Sequence, residues 1–590
     1  MQAEVIQPWA AVSAAAWANA SKAVVVADMR RCLPPSALTS RLAKGCWKVI
    51  LYEAEELTGN MVWASGDADV APLRLPLCVS GWHALFIGLY ATNATPSHAW
   101  LKLDGETAPT PIASSKGPGY WWMQEVFWKV AELKPDQCLH IQHVPLSDNA
   151  AAGCGVAYVK MIPLHAAEIA GFCADRDDAK PRRLATTCDH FSFMAARRPT
   201  TVESLLSELE IFRDTDFSTL LLHIGGADQV CYPSRHGTMW GQAQNSFADK
   251  GQCWQAESCR ELARKGINPT KVLIDGAHAL GMKVHIGFRP ALWSYHEPFT
   301  DFFESPFFGQ HPEWRTVDRD GTQVARMSWA VPEVRKHLLD VLGEAVALGA
   351  DGAHIVFTRG FPVTLYEPSF CALFQARFGE DPRRLEESDP RIATLRADII
   401  TTFVRELRTV LNEEAKRRVN GRRLEISMTT LNCEEDNLRY GLDLRRLARE
   451  QLIDEVYPAI HKFTFGGVKR VWDMDFFMEA CAREGVRVIP MIDFAHVGHP
   501  NANYWPYPTF LLKGIECYEK GAAGVGFWDP AVVNANDEAP HEYWKIISRF
   551  GHLDELRARL SLKPSKPVFR SIRRLGEHRL DARFPPYWGG

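Results

Sequence analysis

The chain has 590 residues, 46% hydrophobic and 23% charged, with a formal net charge of −4. These totals describe a globular protein of two or more domains, without the basic surface that nucleic acid or an anionic membrane would require. No apolar run reaches the length needed to cross a bilayer.

The first 45 residues read as an N-terminal extension. Their opening, MQAEVIQPWAAVSAAAWANASKA, has Glu4 where an export signal would carry lysine or arginine, so a cytoplasmic location is expected. The 14 cysteines form no CxxC pair and fall largely inside apolar runs, as buried thiols of a reducing compartment do.

From 46 to 165 the pattern has period two. SGWHALFIGLYA alternates around Trp82, Phe86 and Tyr90, and HAWLKLDG ends in an Asp-Gly turn signal. Many short strands without a long helix predict an antiparallel β-sandwich. With the phrases SGWHALFIGLY and AYVKMIPL, this part resembles the jelly-roll accessory domains attached to carbohydrate-active enzymes. The polar stretch 166–183 reads as a linker.

From 184 to 562 short apolar runs alternate with helical stretches eight times. The strands are read in LATTCDHFSF, STLLLHIGG, KVHIGFRPALW, ADGAHIVFTR, LEISMTTLN, LIDEVYPAI, VRVIPMIDF and AAGVGFWDP. In the helix PEVRKHLLDVLGEAVALG, Val334, Leu338, Val341, Leu342 and Ala345 recur at helical spacing, with Pro332 suited to the first turn. Continuous apolar strands suit a parallel sheet covered on both faces. Eight β/α units predict an α/β fold, a (β/α)8 TIM barrel behind the N-terminal sandwich. No glycine-rich phosphate loop follows the first strand, which argues against a doubly wound sheet. The basic, proline-bearing stretch 563–590 reads as a C-terminal tail.

Barrel chemistry is placed where strands end. Those ends offer Asp189 and His190, His223, Arg289 with Trp293 beyond it, and Arg359 with Tyr366 and Glu367. They continue with Asn432, Tyr457 with His461, Asp493 with His496, and Trp528 with Asp529. Carboxylates, histidines and tryptophans without a cofactor motif suit glycoside hydrolysis, in which one carboxyl protonates the leaving oxygen and a second attacks or activates water. The expected catalytic groups are Glu367 and Asp493, with Asp529 in reserve. The remaining rim residues are expected to bind substrate. Arg289 and Arg359 at neighbouring strand ends suit the carboxylate of an acidic sugar, and Trp293 and Trp528 suit stacking on sugar rings.

Residues 185–550 resemble the glycoside-hydrolase-like (β/α)8 proteins loosely called family-10-like. The carrying phrases are HPEWRTVDRDGT, WAVPEVRKHLLDVLGEAV, GADGAHIVF and RGFPVTLYEPSF. The resemblance implies glycosidase action on poly- or oligosaccharides. That family carries aspartates at the end of strand four, whereas Val356 and Phe357 occupy the matching places here.

The expectation is therefore a glycosidase of oligosaccharides or glycosides, acidic sugars included, with a carbohydrate as its partner. Neither cofactor nor metal is expected, since the first strand lacks an HxH pair. No nucleic-acid or membrane partner is expected, and the chain is compatible with a homo-oligomer. The alternative is a non-catalytic glycan-binding protein on a degenerate glycosidase barrel, a reading favoured by the missing strand-four acids.

Overall fold

The computed structural model describes residues 6–10, 13–93, 96–147, 153–419, 421–459, 472–492, 507–529, 540–562 and 567–579. The molecule is a mixed α/β protein. Its N-terminal part is built from β1 (Val24–Val26), β2 (Trp47–Ala54), β3 (Leu57–Ala64), β4 (Leu73–Pro76), β5 (Gly81–Ala91), β6 (His98–Leu103), β7 (Thr110–Ala113), β8 (Trp122–Leu133), β9 (Cys138–Gln142) and β10 (Cys154–Pro163).

Two antiparallel sheets share these strands. The smaller runs β4-β9-β6-β7, and the larger contains β2-β3-β10-β5-β8 in that order. Alternation along β5 explains why nearly all of it is buried. Leu85, Ile87 and Leu89 enter one core with Leu73, Leu101 and Ile141 of the smaller sheet. Ala84 and Phe86 point the other way and are covered by Trp9, Trp17 and Phe172. The N-terminal extension is thus part of the packing, closing a face that would otherwise be wet.

The stretch expected as a linker contains helix α1 (Ala166–Asp177), capped by His165 and Glu168. Asp175 on this helix accepts hydrogen bonds from Trp9 Nε1 at 2.9 Å and from Arg549 Nη1 at 2.8 Å. The helix therefore ties the two halves of the chain together.

The second half carries β11 (Leu184–Asp189), β12 (Phe217–His223), β13 (Lys283–Phe288), β14 (Gly352–Val356), β15 (Glu425–Thr430), β16 (Glu455–Pro458), β17 (Arg487–Val488) and β18 (Val525–Phe527). They form one parallel sheet in chain order from β11 to β17, and β18 pairs with β11. Ile492 N bonds Gly526 O at 2.8 Å and Gly526 N bonds Pro490 O at 2.9 Å, so the seventh and eighth strands also meet. The helix expected at 332–349 is present over Pro332–Val346, and it buries Val334, Leu338, Val341, Leu342 and Ala345.

One continuous rung of pairings runs Asp189, His223, Gly287, His354, Ser427, Glu455, Arg487. It starts at the last residue of β11 and ends at the first residue of β17, the stagger expected when tilted strands curl around an axis.

The C-terminal stretch contributes β19 (Val568–Leu575), which leaves the parallel sheet and pairs with both β8 and β2. With it, the pairings β2-β3-β10-β5-β8-β19 return to β2. Tyr52, Met61, Met123, Tyr158 and Ile572 fill the space enclosed. Among the described residues, no helix is long and apolar enough to cross a membrane.

Candidate active site

The first and eighth strands bring two aspartates together. Asp529 follows Trp528 at the end of β18 with φ +42°, a left-handed conformation that aspartate tolerates better than most residues. That turn lets its Oδ1 accept from Thr187 Oγ1 at 2.8 Å and from Asp189 N at 3.1 Å, while Asp529 N donates to Thr187 Oγ1 at 2.8 Å. Asp189 Oδ2 accepts from Arg289 Nη2 and from Ser192 Oγ, the latter at 3.2 Å. Its buried Oδ1 has no hydrogen-bond partner among the described residues. A narrow cavity lined by Thr187, Ser192, Phe193, Glu208 and both aspartates adjoins the pair.

The surroundings divide the two carboxyls. Asp189 is locked to a guanidinium that is 3% exposed. Asp529 has no ion-pair partner among the described residues; burial and the neighbouring Asp189 charge push its pKa up to about 7, against the hydrogen bond from Thr187. One carboxyl thus holds a proton near neutral pH beside a second fixed against an arginine.

Two arginines stand at the neighbouring strand ends. The Arg289 guanidinium lies 5.9 Å from the Trp528 ring, which is 5.4 Å from His223. Arg359 ends the short turn after β14, and the Arg289 charge, followed by burial, lowers its pKa to about 10. On the same rung as Asp189, His223 and His354 stack 5.9 Å apart over Gly287. A Cβ on Gly287 would lie 2.5 Å from the His223 ring, so only glycine permits this arrangement. Burial keeps His223 and His354 neutral, their pKa values well below the usual range.

At the opposite end of the strands, His285, Glu425 and Glu455 have the spacing of a cation site. The charge there is already balanced, with Lys283 Nζ 2.5 Å from Glu455 and Arg487 Nη2 3.0 Å from Glu425. This cluster is an ion-paired plug, and a divalent cation would have to displace two protein cations.

Several expected site residues lie elsewhere. Glu367 is 1% exposed, and its carboxylate accepts from Ser328 Oγ, Thr364 Oγ1 and Leu365 N. It braces its own loop against Ser328 and makes no ion pair with Arg359. Tyr366 donates to Glu387 on the outer side of that loop and receives Arg319 Nη2 at 2.6 Å. Trp293 is buried, with Nε1 on Pro290 O at 2.9 Å and its ring packed among Phe307, Phe308 and His337, so no ring face is left for a sugar. Tyr457 is fully buried and donates to Glu455 at 2.5 Å, down in the plug.

His190 opens helix α2 (His190–Arg197) rather than extending the strand; it stacks on Phe193, and burial lowers its pKa to about 3. Asn432 is buried, and its carbonyl accepts from Asp473 N at 2.9 Å. Glu434 and Glu435 begin a short helix (Glu434–Arg439), and Glu434 pairs with Arg445 of the next one. His461, Asp493 and His496 lie outside the described residues. Val356 and Phe357 are buried, Val356 in the apolar strand-lined interior and Phe357 stacked 4.9 Å from Phe361.

Sequence reading missed Thr187, which bridges the aspartates. Its signal was present, since it stands two residues before Asp189 on the same strand and so shares its face.

No protein-family model matches the chain, and no curated protein resembles it in sequence. Solved structures that align with it include alpha-L-fucosidase isoenzyme 2 from Paenibacillus thiaminolyticus, at 15% identity and TM-score 0.38 over 63% of this chain. The chain spans about half of that fucosidase, 49% of its length. The PgaB (BpsB) glycoside hydrolase domain from Bordetella bronchiseptica aligns at 15% identity and TM-score 0.38, over 58% of this chain and 93% of its own. The alpha-galactosidase TtGalA from Thermus thermophilus aligns at 13% identity and TM-score 0.32, over 90% of this chain and 95% of its own. These neighbours are glycoside hydrolases, but likeness at this level carries no weight for the site, which stands on its own geometry.

Proposed function

We propose that the chain is a glycoside hydrolase of oligosaccharides or glycosides, acidic sugars included. Its parallel strands are read as a closed (β/α)8 barrel. The two antiparallel sheets, completed by β19, are read as a β-sandwich domain. The observation that carries the functional reading is the divided pair at the mouth. Asp529, with its pKa raised to about 7, keeps a proton to give to the leaving oxygen as the glycosidic bond breaks. Asp189, held by Arg289 with Oδ1 unengaged, is the second carboxylate that meets the developing positive charge at the anomeric carbon. Trp528 and Arg289 supply an aromatic wall and hydrogen-bond donors beside it.

Turnover and binding on a panel of oligosaccharides test this with Asp189→Asn, Asp529→Asn and Asp493→Asn. The expected result is a loss of at least about 10³ in kcat for the first two, with binding retained.

The second reading, a glycan-binding protein without catalysis, is favoured by the apolar Val356 and Phe357 at the end of strand four. Binding without turnover on every substrate of the panel would establish it instead.

A further inference from the structure

Helix α2 begins directly after Asp189 and serves the aspartate pair along its length. Ser192 donates to Asp189 at 3.2 Å, Phe193 lines the cavity beside the pair, and Arg197, the last residue, donates through Nη1 to Glu208. Glu208 lies just past the helix Val202–Leu206 and lines the same cavity as Asp189 and Asp529. The Arg197 and Glu208 side chains are 9% and 5% exposed, so their charges act through a poorly screened interior. The Arg197 guanidinium sits 4.8 Å from the ring of Trp100 on β6, in the smaller antiparallel sheet, and Lys102 of the same strand pairs with Glu203 at 2.8 Å. A strand outside the parallel sheet thus fixes the arginine that holds Glu208.

Three carboxyls meet this one cavity. Asp189 is paired with Arg289 and Glu208 with Arg197, whereas Asp529 accepts from Thr187 and the Asp189 amide. The buried Cys188 thiol, which also lines the cavity, registers all three: after burial itself, Glu208, Asp529 and Asp189 push its pKa up, and Arg197 opposes them. The other described ionisable groups around Asp529 are Asp189, Arg289 and Arg359. Resting on the hydrolase reading, we propose that Arg197 and Glu208 are positioning residues of the aspartate pair, a balanced buried charge pair that keeps the proton on Asp529. While their charges offset each other, Asp529 feels little of either. An uncompensated Arg197 would draw the proton off Asp529, and an uncompensated Glu208 would hold it there.

The test needs no substrate. The folded chain binds the Asp529 proton more tightly than the unfolded chain does. The wild type should therefore lose stability relative to Asp529→Asn as pH rises from about 4, and the loss should level off at about 7, where folded Asp529 ionises. The difference in melting temperature between the two, measured on the full chain from pH 4 to 9, reads that ionisation in any background. With Glu208→Gln the levelling point should fall by about half a pH unit or more, and with Arg197→Met it should stay or rise. With both substitutions together it should return to within about 0.2 unit of the wild type. Glu208→Asp, which keeps the charge, should leave it in place. A merely structural role would move the point the same way in both single variants or in neither. An unmoved point in Glu208→Gln, a fall in Arg197→Met, a double variant that keeps the full fall, or equal falls in Glu208→Asp and Glu208→Gln would overturn the proposal. The expected shifts without turnover on any glycan would defeat the hydrolase reading alone. Turnover whose alkaline limb ignores Glu208→Gln would defeat this inference alone.

Discussion

At the residue scale, function turns on what stands beside each carboxyl. Glu367, Asp189 and Asp529 all follow strand ends in the sequence, yet only two of them share an environment. Two hydrogen bonds fold Glu367 back on its own loop and a third ties it to Ser328, whereas the left-handed turn at Asp529 swings its carboxyl onto Thr187. Strand ends can be read from apolar runs, but the direction in which a loop returns its side chain cannot. Trp293 shows the same limit, because a tryptophan past a strand end reads alike whether it faces a sugar or a neighbouring phenylalanine. If Asp529 is the proton donor, kcat/KM falls tenfold per pH unit above about 7, where it loses its proton. Thr187→Val removes a hydrogen bond that favours the ionised form, so this alkaline limb should move upward by roughly half to one unit. A limb that stays in place would show that another group governs it.

At the scale of elements, the joints between segments are charged. His552, just before helix α3 (Leu553–Leu560), lies 2.8 Å from Asp216 and 3.3 Å from Asp175 on α1. Burial opposes its charge, but its hydrogen bonds to the two aspartates outweigh this and raise its pKa to about 9. A histidine with a raised folded-state pKa contributes stability that is fully present below its unfolded value of about 6.5 and is lost as pH rises through about 9. His552→Gln should therefore cost about 1–2 kcal/mol in denaturant unfolding at pH 6, and the difference should vanish by about pH 10. A pH-independent difference would mean that the histidine acts through packing. None of this was legible in the sequence, since the three partners are far apart along the chain. The alternation of β5 and the helix at 332–346 were legible, because period two and period 3.6 are local properties.

At the scale of the whole molecule, strands from the early and late parts of the chain meet in one sheet. The C-terminal β19 pairs with β2 and β8, and Ile572 is fully buried in the space they enclose. The sequence pattern of 46–165 identified strands but not that a strand from beyond residue 562 is needed to complete them, because strand partners leave no local trace. Removing residues 563–590 should expose the edges of β2 and β8 and bare the Tyr52–Tyr158 core. Amide exchange across 47–54 and 122–133 should then accelerate by at least about tenfold while β11–β16 keep their protection. Unchanged exchange in the first two segments would show that β19 is dispensable. The rhythm of the eight parallel strands was legible; which carboxyls the fold brings side by side was not.

The central claim is that Asp529 gives a proton to the departing oxygen. Its most direct test is the dependence of Asp529→Asn on the leaving group, measured as kcat/KM on glycosides of dinitrophenol and of methanol with the same sugar. If the claim holds, the dinitrophenyl glycoside, whose leaving group needs no proton, is cleaved at close to the wild-type rate, while the methyl glycoside loses about three orders of magnitude. Equal losses on both would contradict it.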